Sequence, residues 1–211
     1  MSSGNTNDLY LTVNNFARST GWLHSPVTAY AKYGLVIFAG LLLVGWWVAR
    51  DRPARVMAAA LLAPVSTVVA VALNQPIIKS VAETRPYVVH PGALVLVSKT
   101  SDPSFPSDHA AMAGAVAVGL FLVSRRLGLV AIVCALVMAF ARVYVGAHYP
   151  QDVLAGLVFG AAIAGLVWLV LRIPVTRLVE RLRGTRLLPL VGTARVRQSP
   201  ADTSVDNMAR T

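Results

Sequence analysis

Five stretches of this chain are apolar nearly all the way round any helix drawn through them: Gly34 to Val48, Val56 to Leu73, Ala110 to Val123, Leu127 to Phe140 and Val153 to Leu171. A helix at the surface of a water-soluble domain shows an apolar stripe and a polar back, so one without a polar back must be buried in protein or lipid. With 211 residues, 56% of them hydrophobic and 13% charged, the chain has too little amphipathic surface to wrap five such helices in a soluble shell. The pattern therefore predicts an all-α, polytopic transmembrane bundle of about five spans. Several runs fall short of the roughly 20 residues of an upright crossing, so flanking Ser, Thr, Tyr and Trp are expected to share the depth.

Ahead of the first run, Asp8 to Trp22 places Leu9, Tyr10, Leu11, Val13, Phe16 and Trp22 among polar residues at helical spacing. This reads as an amphipathic helix along the membrane surface. The chain then divides into an N-terminal interfacial segment (1–33), a transmembrane domain (34–173) and a basic cytoplasmic tail (174–211). Pro174 predicts a break or kink beyond the last span, and the polar composition of Val191 to Thr211 predicts disorder. Gly156 and Gly160 form a G-x-x-x-G pair suited to close helix packing within the chain, which does not by itself imply a dimer. Cys134 lies inside a span as a small packing residue, so no disulfide or cysteine-metal framework is expected. No cleavable leader is expected either.

The formal charge of +10 does not gather on a soluble domain, which argues against nucleic acid as a partner. Arg50, Arg52 and Arg55 separate the first two runs, Arg125 and Arg126 the next pair, and Arg172, Arg177, Arg181, Arg183 and Arg186 follow the last. The positive-inside rule makes these positions cytoplasmic in a plasma-membrane protein. The opposite, outer face receives the connection from Asn74 to Ser107 and the turn around His148.

Three polar groups fall on that outer face: Lys79 with Arg85 and Pro86, then Pro106, Ser107, Asp108 and His109, then Arg142, His148 and Asp152. Ionisable residues at span ends carry a functional presumption because they are costly there. Three cations on the face that normally lacks them call for an anion, and a phosphate fits the arginine fork and the lysine point charge. Ser107 or Asp108 stands at an N-cap position, where free backbone N–H groups add to the attraction.

Asp152, four residues after His148, is placed to keep one imidazole nitrogen protonated and leave the other free to attack phosphorus. His109 is then available to protonate the leaving oxygen and to activate water. Two histidines among three cations make a poor home for a divalent ion, so no metal and no cofactor are expected. His24 and His90 are also placed on the outer face, where His90 could touch a headgroup but is read as a solvated loop residue.

These three blocks resemble the signatures of the type 2 phosphatidic acid phosphatase superfamily over about Lys79 to Asp152. The resemblance implies phosphate binding by Lys79, Arg85, Ser107 and Arg142, with backbone N–H groups near Asp108 helping. It also implies His109 as general acid, His148 as nucleophile and Asp152 as its orienting partner. Three positions depart from the pattern: the Lys79 to Arg85 interval is one residue shorter than the commonest spacing, Asp108 replaces a glycine, and Ala141 replaces a serine. The Ser-Asp-His variant is similar to bacterial undecaprenyl-diphosphatases of the bacitracin-resistance type, which implies a polyprenyl diphosphate hydrolysed to the monophosphate carrier of cell-wall synthesis.

Two rival readings stand beside this one. The first keeps the chemistry and changes the lipid to phosphatidate, phosphatidylglycerophosphate or a prenyl-phosphate sugar. The second is an anion or lipid transporter, which predicts polar residues spread along the spans instead of clustered at one end.

Overall fold

The computed structural model describes residues 3–192. Every regular element among them is a helix: α1 (Ser3–Ser19), α2 (His24–Ala49), α3 (Ala54–Val81), α4 (Pro86–Val89), α5 (Asp108–Val123), α6 (Arg125–Tyr144), α7 (Pro150–Arg183) and α8 (Leu188–Val191), with a 3-10 turn at Gly21–Leu23. Four helical stretches are long and apolar enough to cross a bilayer, Gly21–Ala49, Ala54–Val89, Arg125–Tyr144 and Pro150–Arg183. The remaining apolar run forms the 16-residue α5, which packs against α2, α3, α6 and α7.

Large apolar side chains point outward along the spans, with Val36 71%, Val68 69% and Val158 69% exposed. In water such a belt would be strongly unfavourable, whereas hydrocarbon accommodates it. The chain is therefore a multi-pass membrane protein.

Seven of the 16 residues of α5 are Ala or Gly, and Ala110, Ala111, Ala113, Ala115 and Leu120 are fully buried. That composition lets neighbouring backbones come close. A methyl group added at Gly160 would collide with the Ala111 carbonyl oxygen, one at Gly156 with the Ser107 carbonyl and the Ala110 side chain, and one at Gly114 with the Leu157 carbonyl. The G-x-x-x-G pair is thus used within the chain, to seat α7 on α5. Because the close approach lies near both N-termini, it also joins the start of the two helices, where Ser107 N–H donates to the Asp152 carbonyl at 3.1 Å.

Several element boundaries differ from the sequence reading. α2 begins at His24, ten residues ahead of its apolar run, and α3 continues to Val81. Asn74 is therefore a fully buried helical residue, and the connection to α5 starts at Ala82, whose φ of 51° closes α3 in the left-handed region. Pro174 does not break α7, which runs on to Arg183. Past the proline, Val179 is fully buried in a cluster with Met57 and Ala58 of α3, and the Thr176 hydroxyl bonds the Arg172 carbonyl at 2.6 Å.

Val191, expected at the start of a disordered tail, is instead buried in α8. There Trp46 Nε1 donates to the Leu190 carbonyl at 2.9 Å, and Arg183 Nε donates to the Val191 carbonyl at 3.0 Å. The rest of that expected tail, 193–211, lies outside the described residues.

α1 docks on protein. Tyr10 is fully buried, stacked on His90 at 5.7 Å and edge-on to Tyr149 at 5.5 Å. Asn14 clamps residue 94 from both sides, donating to the Leu94 carbonyl at 2.8 Å and accepting its N–H at 2.9 Å. His90 is thus packed beneath α1, contrary to the expectation of a solvated histidine. Burial is the main cause that pushes the Tyr10 hydroxyl up to about 12.

Candidate active site

At the end of the bundle away from the arginine clusters, a cavity of about 500 Å³ is lined by Arg85, Asp108, His109, Arg142 and His148. Each comes from a helix end or from the turn beside one. The turn between α6 and α7 is made possible by Gly146 at φ 80°, where a side chain would also meet the Leu94 carbonyl. Leu96 N–H donates to the Val145 carbonyl at 3.0 Å, tying this turn to the 82–107 connection.

His148 is only 3% exposed. Its Nδ1 lies 2.9 Å from the Ser104 carbonyl oxygen, an atom that can only accept, so Nδ1 carries the proton. Nε2 is then the unprotonated nitrogen, and Arg142 Nη2 stands 3.3 Å from it on the cavity side. Burial, followed by the nearby Arg142 and Arg85 guanidiniums, holds the imidazole well below its ordinary pKa. The ring is therefore neutral and its lone pair available at physiological pH.

The orienting role of Asp152 is less direct than four-residue spacing suggests. Asp152 is fully buried at the first turn of α7, with Oδ2 3.4 Å from His148 Nδ1. The same oxygen accepts the Tyr149 N–H at 2.8 Å and a hydrogen bond from the Ser104 hydroxyl. Ser104 thus touches the histidine with its carbonyl and the aspartate with its hydroxyl.

Arg85 is fixed before any substrate arrives. It donates from Nε to the Asp102 carbonyl at 2.8 Å, from Nη1 to the Ala147 carbonyl at 3.1 Å and from Nη2 to Asp102 Oδ2 at 2.6 Å. Burial raises the Asp102 carboxyl, but hydrogen bonds from Thr100 and Arg85 outweigh it and hold the group below the usual range. Tyr87 braces the same connection, its hydroxyl donating to the Thr100 carbonyl at 2.8 Å and accepting the Thr100 N–H at 2.9 Å.

Asp108, the carboxylate in place of the family's glycine, is turned toward α3. Its Oδ1 accepts from Asn74 at 2.8 Å and its Oδ2 from Gln75 at 3.0 Å. Ser107 is fully buried with its hydroxyl unpartnered and does not line the cavity.

Lys79 differs most from the sequence reading. It is exposed and absent from the lining, where its neighbour Ile78 stands instead. A helix turns about 100° per residue, so an interval to Arg85 that is one residue short swings the lysine off the facing side. Lys32 on α2, missed in the sequence, lines the cavity.

Glu83, beyond the end of α3, closes the set. Its backbone carbonyl accepts the Ser104 N–H at 2.8 Å, and its Oε1 accepts from Gln151 at 2.7 Å. Among the described residues no group of His, Cys, Asp and Glu is arranged to hold a metal ion.

A neutral imidazole nitrogen facing two guanidiniums in a pocket within an apolar bundle is suited to attack on a phosphorus centre. Comparison with known proteins identifies the class. The PAP2 superfamily model matches residues 29–173. The undecaprenyl-diphosphatase BcrC of Bacillus subtilis is 28% identical over 159 residues, which is 75% of this chain and 80% of that protein. The decaprenylphosphoryl-5-phosphoribose phosphatase of Mycobacterium tuberculosis is 39% identical over 79 residues, 37% of this chain and 43% of that one. A PAP2-type phosphatidylglycerolphosphate phosphatase from Bacillus subtilis, known from its crystal structure, superposes with a TM-score of 0.58 at 21% identity, covering 79% of this chain and 86% of the other. At that identity the likeness establishes the fold.

The class is that of a multi-pass membrane phosphatase acting on lipid phosphates. Within it, the chain belongs to the PAP2 superfamily.

Proposed function

We propose that this protein hydrolyses a polyprenyl diphosphate of the undecaprenyl or decaprenyl kind to the monophosphate, through a phosphohistidine on His148, at the outer face of the plasma membrane. The observation that carries the reading is the neutral His148, with Nδ1–H on the Ser104 carbonyl and Nε2 against the Arg142 guanidinium at 3.3 Å, both residues lining the cavity.

In the proposed reaction the terminal phosphoryl group sits against Arg142 and the free N–H donors of Arg85. His148 Nε2 forms a bond to its phosphorus. The bond from phosphorus to the bridging oxygen breaks, and the electron pair leaves on the lipid monophosphate, which accepts a proton that His109 takes up as the anionic substrate enters. Positive charge that develops on the imidazole is stabilised through the Ser104 carbonyl and Asp152. His109 then takes a proton from water, whose oxygen attacks the phosphorus; the bond from phosphorus to His148 Nε2 breaks, its electron pair returns to the imidazole, and inorganic phosphate leaves.

Asp108 is expected to help indirectly, through the backbone N–H groups at the start of α5. Ser107 and Lys79, both outside the lining, are assigned supporting roles at most. The arginine-rich opposite end of the bundle supports an outward-facing site and a cytoplasmic C-terminus by charge asymmetry. Similarity to undecaprenyl-diphosphatase over three quarters of the chain supports the substrate class.

The test is phosphate release from a C55 polyprenyl diphosphate by detergent-purified protein in excess chelator, compared with phosphatidate and with His148→Ala. Chelator-resistant release that favours the diphosphate and is lost in the variant is the expected result. Preference for phosphatidate would overturn the substrate, and release by the variant would overturn the nucleophile.

A further inference from the structure

Lys32 is the one Lys, Arg, Asp or Glu among the 26 residues of α2. Yet it makes no hydrogen bond and no ion pair among the described residues, and it lines the active-site cavity. Lys32 and Lys79 are both exposed, but only Lys32 also lines the cavity, so its ammonium can meet an anion bound there.

Its position narrows the choice. A second hollow of about 370 Å³, lined by His24, Thr28, Lys32, Tyr33 and Leu96, shares Lys32 and Tyr33 with the main cavity. Tyr33 is 69% exposed on the outside of the bundle. Lys32 therefore stands where the catalytic cavity meets a groove along the first turns of α2.

The other cations leave work for it. Arg85 uses three N–H donors on Asp102 and Ala147, Arg142 faces His148, and Lys79 is outside the cavity. The carboxylates of Asp102 and Asp108 also line the space. A single phosphoryl group is served by the two arginines, whereas a diphosphate brings a second anionic group between the attacked phosphorus and the lipid chain, on the side of the groove.

We propose that Lys32 binds the inner, lipid-proximal phosphate of a diphosphate substrate and thereby selects diphosphates over monophosphates. This rests on the polyprenyl-diphosphatase reading above. When His148 Nε2 bonds to the terminal phosphorus, the breaking bond leaves its electron pair on the bridging oxygen of the inner phosphate, and the Lys32 ammonium stabilises that growing charge. A monophosphate ester, whose phosphorus occupies the Arg142 end, has no second group to place there.

The test uses full-length protein in detergent with farnesyl diphosphate and farnesyl phosphate, comparing wild type, Lys32→Ala, Lys32→Gln and Lys32→Arg. Loss of a charge-assisted contact predicts that the diphosphate-to-monophosphate ratio of kcat/KM falls about 10-fold or more in the Ala and Gln variants. Release from the monophosphate should stay within about twofold, which also reports intact folding, and Arg should restore most of the ratio. An unchanged ratio, or an equal fall on both substrates, overturns the assignment while leaving the catalytic reading in place. A wild type that does not prefer the diphosphate overturns the substrate reading on which it rests.

Discussion

The backbone carbonyl of Ser104 lies 2.9 Å from Nδ1 of His148, closer than the carboxylate of Asp152 at 3.4 Å. The nucleophile is thus oriented by the main chain of the 82–107 connection, and the aspartate acts partly through the Ser104 hydroxyl. Ser104→Ala keeps the carbonyl and deletes the hydroxyl's bond to Asp152 together with its 3.4 Å contact to His148 Nδ1. Its kcat is predicted to fall by about 10-fold, the size of one hydrogen bond to a charged group. Asp152→Ala, which also strips the Tyr149 N–H of its partner, is predicted to lose at least about 100-fold. Initial-rate kinetics on the two variants make the comparison.

Lys79 and Arg142 are predicted to separate sharply despite their shared place in the family signature. Lys79→Ala should leave kcat/KM within about threefold, as for an exposed charge. Arg142→Ala should lower it by about 100-fold or more, as for a group that binds a developing charge. Equal losses in the two variants would show that the lysine reaches the substrate after all.

Gly160 tests the α5 and α7 contact. Because an added methyl meets the Ala111 carbonyl, Gly160→Ala is predicted to destabilise by about 1–3 kcal/mol, the usual cost of overpacking. Gly165, where an added methyl would meet open space, is the control, and Gly165→Ala should not lower the melting temperature.

Much of this is legible in the sequence because it depends on short-range pattern. All-round apolar runs become the long helices and the core helix α5. Arg85, His109, Arg142, His148 and Asp152 converge because each adjoins a helix end on the face opposite the arginine clusters. The rest depends on tertiary contacts of the 82–107 connection. Nothing in the residues around Ser104 or Asp102 announces that one will hold His148 and the other Arg85. Lys32 does leave a signal, a single charge in an apolar span, but the three motif blocks already supply enough cations to overshadow it. Lys79 is misplaced by its motif because spacing records order along the chain, while helical phase decides which side a residue faces.

The central claim is that His148 becomes phosphorylated. Rapid-quench reaction with a substrate labelled in its terminal phosphate, followed by peptide mapping at alkaline pH, tests it most directly. The account predicts an acid-labile, alkali-stable label on the peptide containing His148, formed within one turnover and absent in His148→Ala. Turnover without such a label under conditions that preserve phosphohistidine, or a label mapped to another residue, would contradict it.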